Sequence, residues 1–458
     1  MAHLSQNKVH FIGIGGIGMS ALARYFISEK WAVSGSDAAR SQITDSLIKD
    51  GVNVKIGHKK GYLPANTDLV VYNRAISKDN PEIAAARALG LLVLPYAEVL
   101  GEITKKYVTI AITGSHGKST TTSLAGLALV KGGLDPTILV GTNLKELGGK
   151  NIRVGRGEYL VLEADDFGAA FTHYSPMIAI VTNIDREHLD FYKTFSNLKK
   201  AFLQFLESAR VGGTFILNRD DKNLFSLRMS VAAIARRKNI HVIWYSLLDS
   251  EVPKIKHAIQ IPGVHNVSNA VAVYKLGKVL GVSEKKVLAA IGAYRGAWRR
   301  MEYRGQFNDA GGKGARRGAP VYDDYAHHPT EIKATLQAFH EKYPQKKILC
   351  IFQPHQAKRL AALFKEFTTC FAGADKAILL PIYKVTGRDQ RSSRFDSAAL
   401  ARAIQKRESQ KPFFYLANPR NLKNAIRTLA TPLSRYVIIM MGAGDIVSLT
   451  DSLVKTSF

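Results

Sequence analysis

Residues 107–122 constrain the chain more than any other stretch. Tyr107-Val108-Thr109-Ile110-Ala111-Ile112 is a strand-forming run that leads without a spacer into Thr113-Gly114-Ser115-His116-Gly117-Lys118-Ser119-Thr120-Thr121-Thr122. A continuous apolar strand of this kind belongs inside a mostly parallel sheet covered by helices, so the segment calls for an α/β fold. The usual phosphate loop reads G-x-x-x-x-G-K-[ST]. Here Ile112 stands at the first glycine position, which leaves the shorter G-x-x-G-K-S between a buried strand and a helix. Backbone amides in such a loop cradle phosphate oxygens, Lys118 neutralises β/γ charge and the Ser119 hydroxyl takes Mg2+. Gly114 to Thr120 is therefore the expected seat of ATP.

A second glycine loop lies near the N-terminus. The strand Val9-His10-Phe11-Ile12 runs into Gly13-Ile14-Gly15-Gly16-Ile17-Gly18, followed by a helical stretch Met19–Ser28 and a strand Trp31–Ser34. Gly13, Gly15 and Gly18 fit G-x-G-x-x-G, and Asp37 follows nineteen residues past Gly18. The pattern is that of a mononucleotide-binding βαβ unit, in which the acid takes a ribose hydroxyl. It does not name the nucleotide, so NAD and other nucleotides both remain open.

Two clusters could complete a metal site beside the phosphate loop. The strand Tyr159-Leu160-Val161-Leu162 ends at Glu163-Ala164-Asp165-Asp166, a position suited to a Mg2+ carboxylate. The strand Met177–Thr182 ends in Asn183-Ile184-Asp185-Arg186-Glu187-His188-Leu189-Asp190. His188 lies just past a strand end, where open α/β sheets place their sites. Asp185 and Asp190 are equally readable as helix caps or solvated carboxylates. Pro262 to Ala270 reads as a loop entering an amphipathic helix, with polar residues that either cap it or read a base.

The third segment begins after the basic stretch Arg295–Arg304 and the Gly/Lys/Arg-rich run Asn308–Pro320, read as a hairpin or linker tip. It carries Asp323-Asp324-Tyr325-Ala326-His327-His328-Pro329-Thr330-Glu331. Three further strands end in polar clusters: Ile348–Phe352 before Gln353-Pro354-His355, Lys376–Pro381, and Tyr436–Met441 before Gly442-Ala443-Gly444-Asp445. If the chain turns helical at His355, Arg359 shares its face.

The chain is long enough for roughly three domains at about 150 residues each. It has 64 basic and 37 acidic residues, net +27. Such charge attracts anionic substrates or simply solvates the surface; no zinc-finger spacing or RNP-type motif points to nucleic acid. No apolar run approaches the ~18 residues of a membrane span, and Met1–Lys8 lacks a signal-peptide pattern. Cys350 and Cys370 have no ligand-like spacing and read as buried thiols in a reducing compartment. A cytoplasmic enzyme, without nucleic-acid partner or membrane insertion, is the expectation.

The glycine loop Gly13 to Ser20, the Gly-Ser-His-Gly-Lys-Ser-Thr-Thr-Thr loop and Asp323 to Glu331 together resemble the Mur ligases. The similarity is strongest to the branch that joins L-alanine to UDP-N-acetylmuramate, and it extends to Asn183-Ile184-Asp185, His188-Leu189-Asp190, His265-Asn266-Val267, Gln353-Pro354-His355 and Gly442–Asp445. It implies three α/β domains: a Rossmann-like UDP-binding domain (1–105), a central P-loop ATPase with a mostly parallel sheet (106–297), and a C-terminal Rossmann-like domain (298–458) that closes over the site. It also implies an ATP-dependent ligase, monomeric or homodimeric, that phosphorylates the lactyl carboxylate before the amine of L-alanine attacks. Gly13, Gly15, Gly16, Gly18 and Asp37 would hold UDP. Lys118 would hold phosphate, and Ser119, Glu163 and His188 the metal. Asn266 would lie near adenine, Arg299 or Arg300 near phosphates and Asp324 near ribose. His327 or His328, with His355 and Arg359, would face the substrates.

Three stretches depart from the family pattern. Asp166-Phe167-Gly168 stands where Glu-Ser-Asp is usual, Gln356 where arginine is common, and Asn73-Arg74-Ala75-Ile76 where Ser-Ser-Ala-Ile is usual. Three competing readings account for less. An NAD-dependent dehydrogenase leaves the phosphate loop idle, and a nucleic-acid ATPase leaves Gly13–Asp37 unexplained. A tripeptide-adding ligase on the same sugar nucleotide usually lacks the Gly15-Gly16-Ile17-Gly18 run. Lys118→Ala is expected to abolish ligation with the fold intact.

Overall fold

The computed structural model describes residues 7–308, 318–383 and 395–454. Three mostly parallel sheets carry the fold, each wrapped by helices. The chain divides into two compact units: residues 1–259 with 268–294, and residues 260–267 with 295–458.

The first unit holds two sheets. Strands β1 (Lys8–Ile12), β2 (Ala32–Asp37), β3 (Asn53–Ile56), β4 (Leu69–Tyr72) and β5 (Leu92–Pro95) pair in the order β3-β2-β1-β4-β5, all parallel. The strand order reverses at β1, which puts the glycine loop after β1 at the switch point where such sheets bind ligands. The second strand reaches Asp37 and not only Ser34. Its end reads as polar in sequence because Ser34 and Ser36 face a polar network under the sheet.

The second sheet joins β6 (Val108–Thr113), β7 (Thr137–Leu144), β8 (Lys150–Arg153), β9 (Tyr159–Glu163), β10 (Ile178–Val181), β11 (Thr214–Asn218) and β12 (His241–Tyr245), in the order β12-β11-β10-β6-β9-β7-β8. Only the β7–β8 pair, at one edge, is antiparallel. The phosphate-loop strand β6 sits between β10 and β9, buried from Thr109 to Thr113, as its continuous apolar run requires. One apolar cluster runs through both halves of this unit, from Phe11, Leu22 and Leu100 to Phe171, Phe202 and Phe205. Phe171 stacks on Phe205 with ring centroids 5.1 Å apart.

The second unit is built on β13 (Glu302–Phe307), β14 (Ala319–Asp324), β15 (Lys347–Phe352), β16 (Lys376–Leu379), β17 (Phe413–Tyr415) and β18 (Tyr436–Met441), ordered β13-β14-β18-β15-β16-β17. The β13–β14 pair is antiparallel and the rest parallel. The basic run Asn308–Pro320, read as a hairpin or linker tip, leads from β13 into β14, and its residues 309–317 lie outside the described residues. Cys350 and Cys370 are both buried and unpaired with one another. No described helix is long and apolar enough to cross a membrane.

Candidate active site

In the first unit the glycine loop hangs from the end of β2. The amides of Gly13 and Ile14 donate to the Ser36 carbonyl at 2.8 and 3.0 Å, and the Gly15 amide donates to Asp37 Oδ2 at 2.8 Å. A Cβ on Gly15 would meet that same oxygen at 2.9 Å, so the close approach needs glycine. Gly16 packs in the same way against the Asn73 amide nitrogen, and Gly18 against the Tyr96 hydroxyl. Asp37 thus clamps the loop, a task the sequence reading did not give it.

The phosphate loop opens the helix Lys118–Gly132, with Gly117 at its N-cap in a left-handed conformation (φ +82°). A Cβ there would also lie 2.6 Å from Asn269 Oδ1. The helix N-terminus aims its amides and its dipole at whatever anion the loop holds. The segment after β10 pins the loop from the side. Asn183 Oδ1 accepts from the His116 amide at 2.8 Å, and the Thr182 hydroxyl and the Asn183 amide nitrogen donate to the His116 carbonyl at 2.6 and 3.0 Å. Asp185 accepts from the His116 ring at 3.0 Å, while its amide donates to Ser115 Oγ at 2.7 Å.

Lys118 folds back over this loop. Its ammonium donates to the carbonyls of Gly114 and Ser115 at 2.6 and 3.2 Å and to Asp166 Oδ1 at 2.8 Å. Burial works against the charge, but Asp166, Asp165 and Glu163 outweigh it and hold the ammonium above its ordinary pKa. The Asp166 carboxylate is itself fully buried, and its backbone carbonyl takes the Tyr192 hydroxyl. Asp166, read in sequence as part of a metal-carboxylate cluster and as a departure from the family pattern, is therefore the counter-charge of the loop lysine.

Ser119 Oγ donates to Glu163 Oε1 at 2.9 Å, and Glu163 Oε2 accepts from the Gly141 amide at 2.6 Å. His188 groups with Asp165 and Asp166, their ligand atoms lying within 4.8 Å of one another. The expected set Ser119, Glu163 and His188 is thus placed as a Ser119–Glu163 pair and a His188–Asp165–Asp166 group. Thr120 is buried in the first turn of the helix.

The second unit sorts its own candidates. Arg299 is buried, donates to the Gly442 carbonyl and lies over the Tyr325 ring at 5.1 Å. Arg300 also lies over the Tyr325 ring, at 5.0 Å, with Glu331 at 3.7 Å. Of the two arginines, Arg299 has the structural task. Asp324 accepts from the amides of Met301 and Ala326 at 2.8 and 2.9 Å and from the Thr335 hydroxyl at 3.1 Å. Its burial raises its pKa. Asn266 donates its side-chain amide to the Pro262 carbonyl at 2.7 Å.

His328 caps the helix Pro329–Lys342, accepting from the Thr330 amide, with Glu331 completing a capping box. That cap gives His328 a structural role and leaves His327 as the member of the pair that meets His355, at 6.0 Å between rings. His355 also stacks on Tyr383 at 5.6 Å. The shared helical face for His355 and Arg359 is not found. Gln356 adopts φ +67° and the helix begins only at Ala357, because the chain must turn out of β15 before it can wind. Arg359 sits within that short helix, Ala357–Ala362.

Comparison with known proteins gives a consistent picture. The chain matches the Mur ligase family catalytic domain over residues 8–108, the Mur ligase middle domain over 112–277 and the Mur ligase glutamate ligase domain over 299–444. It is 37% identical to the UDP-N-acetylmuramate–L-alanine ligase of Clostridium kluyveri over 462 aligned positions, covering 97% of each chain. The enzyme of the same name from Aquifex aeolicus is 39% identical, over 82% of this chain and 84% of its own. Among solved structures, the UDP-N-acetylmuramate-alanine ligase of Thermotoga maritima superposes with a TM-score of 0.77 at 25% identity, covering 98% of both chains. A murein peptide ligase from Psychrobacter arcticus shares the fold, with a TM-score of 0.68 at 22% identity.

Proposed function

The chain belongs to the Mur ligase family, and on that premise we propose that it uses ATP to join L-alanine to the lactyl carboxylate of UDP-N-acetylmuramate through an acyl phosphate. This is the first peptide step of peptidoglycan precursor synthesis, and we place it in the cytoplasm, carried out by a monomer or homodimer. The observation that carries the reading is Lys118, largely shielded at a helix N-terminus and paired with Asp166, in a loop that the segment at Asn183 holds in shape.

The physical difficulty of the reaction is that a carboxylate must approach a triphosphate. Lys118 and the amides of the loop put positive charge where negative charge develops on the transferring phosphoryl group. The Ser119 hydroxyl, Glu163 and the Asp165–Asp166–His188 group offer mainly hard oxygen donors, a set that suits Mg2+. Bound there, Mg2+ would screen the repulsion between phosphate and carboxylate. The bond of Arg299 to the Gly442 carbonyl favours Arg300, beside Glu331, as the arginine that would meet a phosphate. Asn266 and Asp324 would serve adenine and ribose, while His327, His355 and Arg359 would face the sugar nucleotide and the amino acid.

The first glycine loop is read as a UDP site. Calorimetry should show tighter binding of UDP-N-acetylmuramate than of NADH, and the reverse order would overturn that assignment. Phosphate release with ATP and UDP-N-acetylmuramate, assayed against L-alanine, L-serine, glycine and a tripeptide, tests the whole proposal. A pocket that separates acceptors by a methylene or a hydroxyl discriminates by only about 1–3 kcal/mol. Serine and glycine should therefore be poor substrates, and tripeptide-dependent release without alanine-dependent release would refute the reading.

A further inference from the structure

A fully buried carboxylate lies under the first sheet, away from the phosphate loop. Glu82 is the second residue of the helix Pro81–Ala88, whose cap Asn80 accepts from the amides of Glu82 and Ile83. Both of its oxygens are engaged. Oε2 lies 2.8 Å from His10 Nε2 on β1. Oε1 takes the Ser36 hydroxyl at 2.8 Å, and His58 Nδ1 lies 2.9 Å away. An ionised carboxylate only accepts hydrogen bonds, so both imidazoles donate to it. The other ring nitrogen of His10 meets Ser34 Oγ at 2.8 Å. Burial alone would raise the Glu82 pKa, but the three donors outweigh it and hold the carboxyl below its usual range.

A buried charge with this many partners is costly to assemble and is not needed to close a five-stranded parallel sheet. Its position suggests what it does. Ser36, which Glu82 and His58 hold by the side chain, is the residue whose carbonyl receives the amides of Gly13 and Ile14. Its neighbour Asp37 receives the amide of Gly15. Three successive amides of the glycine loop therefore hang on two residues of β2, and one of those residues is fixed from beneath by Glu82.

We propose that Glu82, held by His10 and His58, is a positioning residue for the sugar-nucleotide site, acting through Ser36 on the glycine loop. It touches no substrate. This rests on reading that loop as the UDP site. A small displacement of loop amides weakens their grip on a ligand while leaving the remote phosphoryl-transfer groups unchanged.

The test compares Glu82→Gln, Ser36→Ala and Gly15→Ala in the full-length enzyme by phosphate release, with thermal unfolding alongside. Glu82→Gln keeps the shape but sets an amide nitrogen among groups that donate. Ser36→Ala leaves the Glu82–histidine pairs and the His10–Ser34 contact in place and removes only the hydroxyl by which Glu82 and His58 hold Ser36, so it decides the matter if Glu82→Gln does not fold. Both should raise KM for UDP-N-acetylmuramate about 10-fold or more. Both should leave kcat and KM for ATP within about twofold, the signature of lost binding alone. Gly15→Ala separates the two levels of the argument, because it strikes the loop directly. If it raises KM for the sugar nucleotide and the other variants do not, the role of Glu82 is refuted and the loop assignment stands. If none of the three changes that KM, the loop assignment falls as well. A lower unfolding temperature with unchanged KM, or a fall in kcat together with both KM values rising, would make Glu82 purely structural and overturn the proposal.

Discussion

Removing the ammonium of Lys118 should do more than stop phosphoryl transfer. In sequence Lys118 is a phosphate ligand and nothing else, and Lys118→Ala is then expected to leave the fold intact. The structure adds Asp166, fully buried and 2.8 Å away, with Lys118 itself only 15% exposed. Truncating one member of a buried pair leaves the other charge uncompensated, at a cost of about 3–5 kcal/mol. The residual exposure of Lys118 puts this case near the lower end, about 3 kcal/mol. For a cooperative unit of about 150–250 residues that corresponds to a Tm lower by about 6–12 °C. Turnover should fall by about 10²–10³-fold or more, as when a group that stabilises the transition state is removed. Adding Asp166→Asn should recover most of the stability and none of the turnover. The assays are thermal unfolding and phosphate release on the single and double variants. An unchanged Tm for Lys118→Ala would refute the energetic role of the pair, and near wild-type turnover would refute the loop assignment. A double variant no more stable than the single one would show that the cost does not come from Asp166.

Three further outcomes are expected. Arg300→Ala should raise KM for ATP with little change in Tm, whereas Arg299→Ala should lower Tm by removing the donor to the Gly442 carbonyl, at about 1–3 kcal/mol; the two profiles interchanged would reverse their roles. Arg359→Lys should raise KM for L-alanine far more than KM for ATP, because an ammonium cannot reproduce a bidentate fork, and an unchanged KM for alanine would remove Arg359 from the site. Asp323, pushed up to about 6 chiefly by burial, binds its proton more tightly in the folded chain than in the unfolded one. Its contribution therefore favours the fold at low pH and is lost as pH rises from about 4 to about 6. The stability of Asp323→Asn relative to the parent should accordingly climb by about 2–3 kcal/mol across that window, measured by denaturant unfolding, and a constant difference would contradict the shift.

What was legible in the sequence is what short-range rules encode. The strand β6 and its loop are contiguous, so an apolar run followed by Gly114 to Ser119 suffices to locate them. The same holds for β1 and Gly13 to Gly18. The unread part depends on partners far apart in the chain. Asp166 pairs with a lysine 48 residues earlier, and Asn183 holds an amide 67 residues away. His10 sits in a strand whose neighbours Val9, Phe11 and Ile12 make it look like an intrusion in an apolar run. Only the fold shows that alternate residues of β1 and β2 face Glu82. The helix expected from His355 fails for a local reason instead, since the positive φ at Gln356 is not encoded by any glycine at that position.

Two departures from the family pattern that look independent in sequence turn out to be one arrangement. Arg74, in the stretch Asn73-Arg74-Ala75-Ile76, donates its guanidinium to the carbonyl of Gly168, in the stretch Asp166-Phe167-Gly168. The same guanidinium lies 4.6 Å over the ring of Phe191, and Phe191 packs against Phe167 at 6.4 Å. Gly168 adopts φ +65°, and a Cβ on it would collide with the Arg74 guanidinium. The positive φ at 168 favours glycine, its lack of a side chain leaves room for the Arg74 guanidinium, and the ring at 167 packs against the ring on which the cation rests. The Phe167 ring in turn meets the His188 ring edge-on at 5.0 Å. One chain of contacts, from Arg74 through Phe191 and Phe167, thus reaches from the end of the glycine-loop sheet to His188 beside the phosphate loop. Asp166 of the same stretch pairs with Lys118, so the departures reach the phosphate loop itself while Ser119 and Glu163 keep their own hydrogen bond.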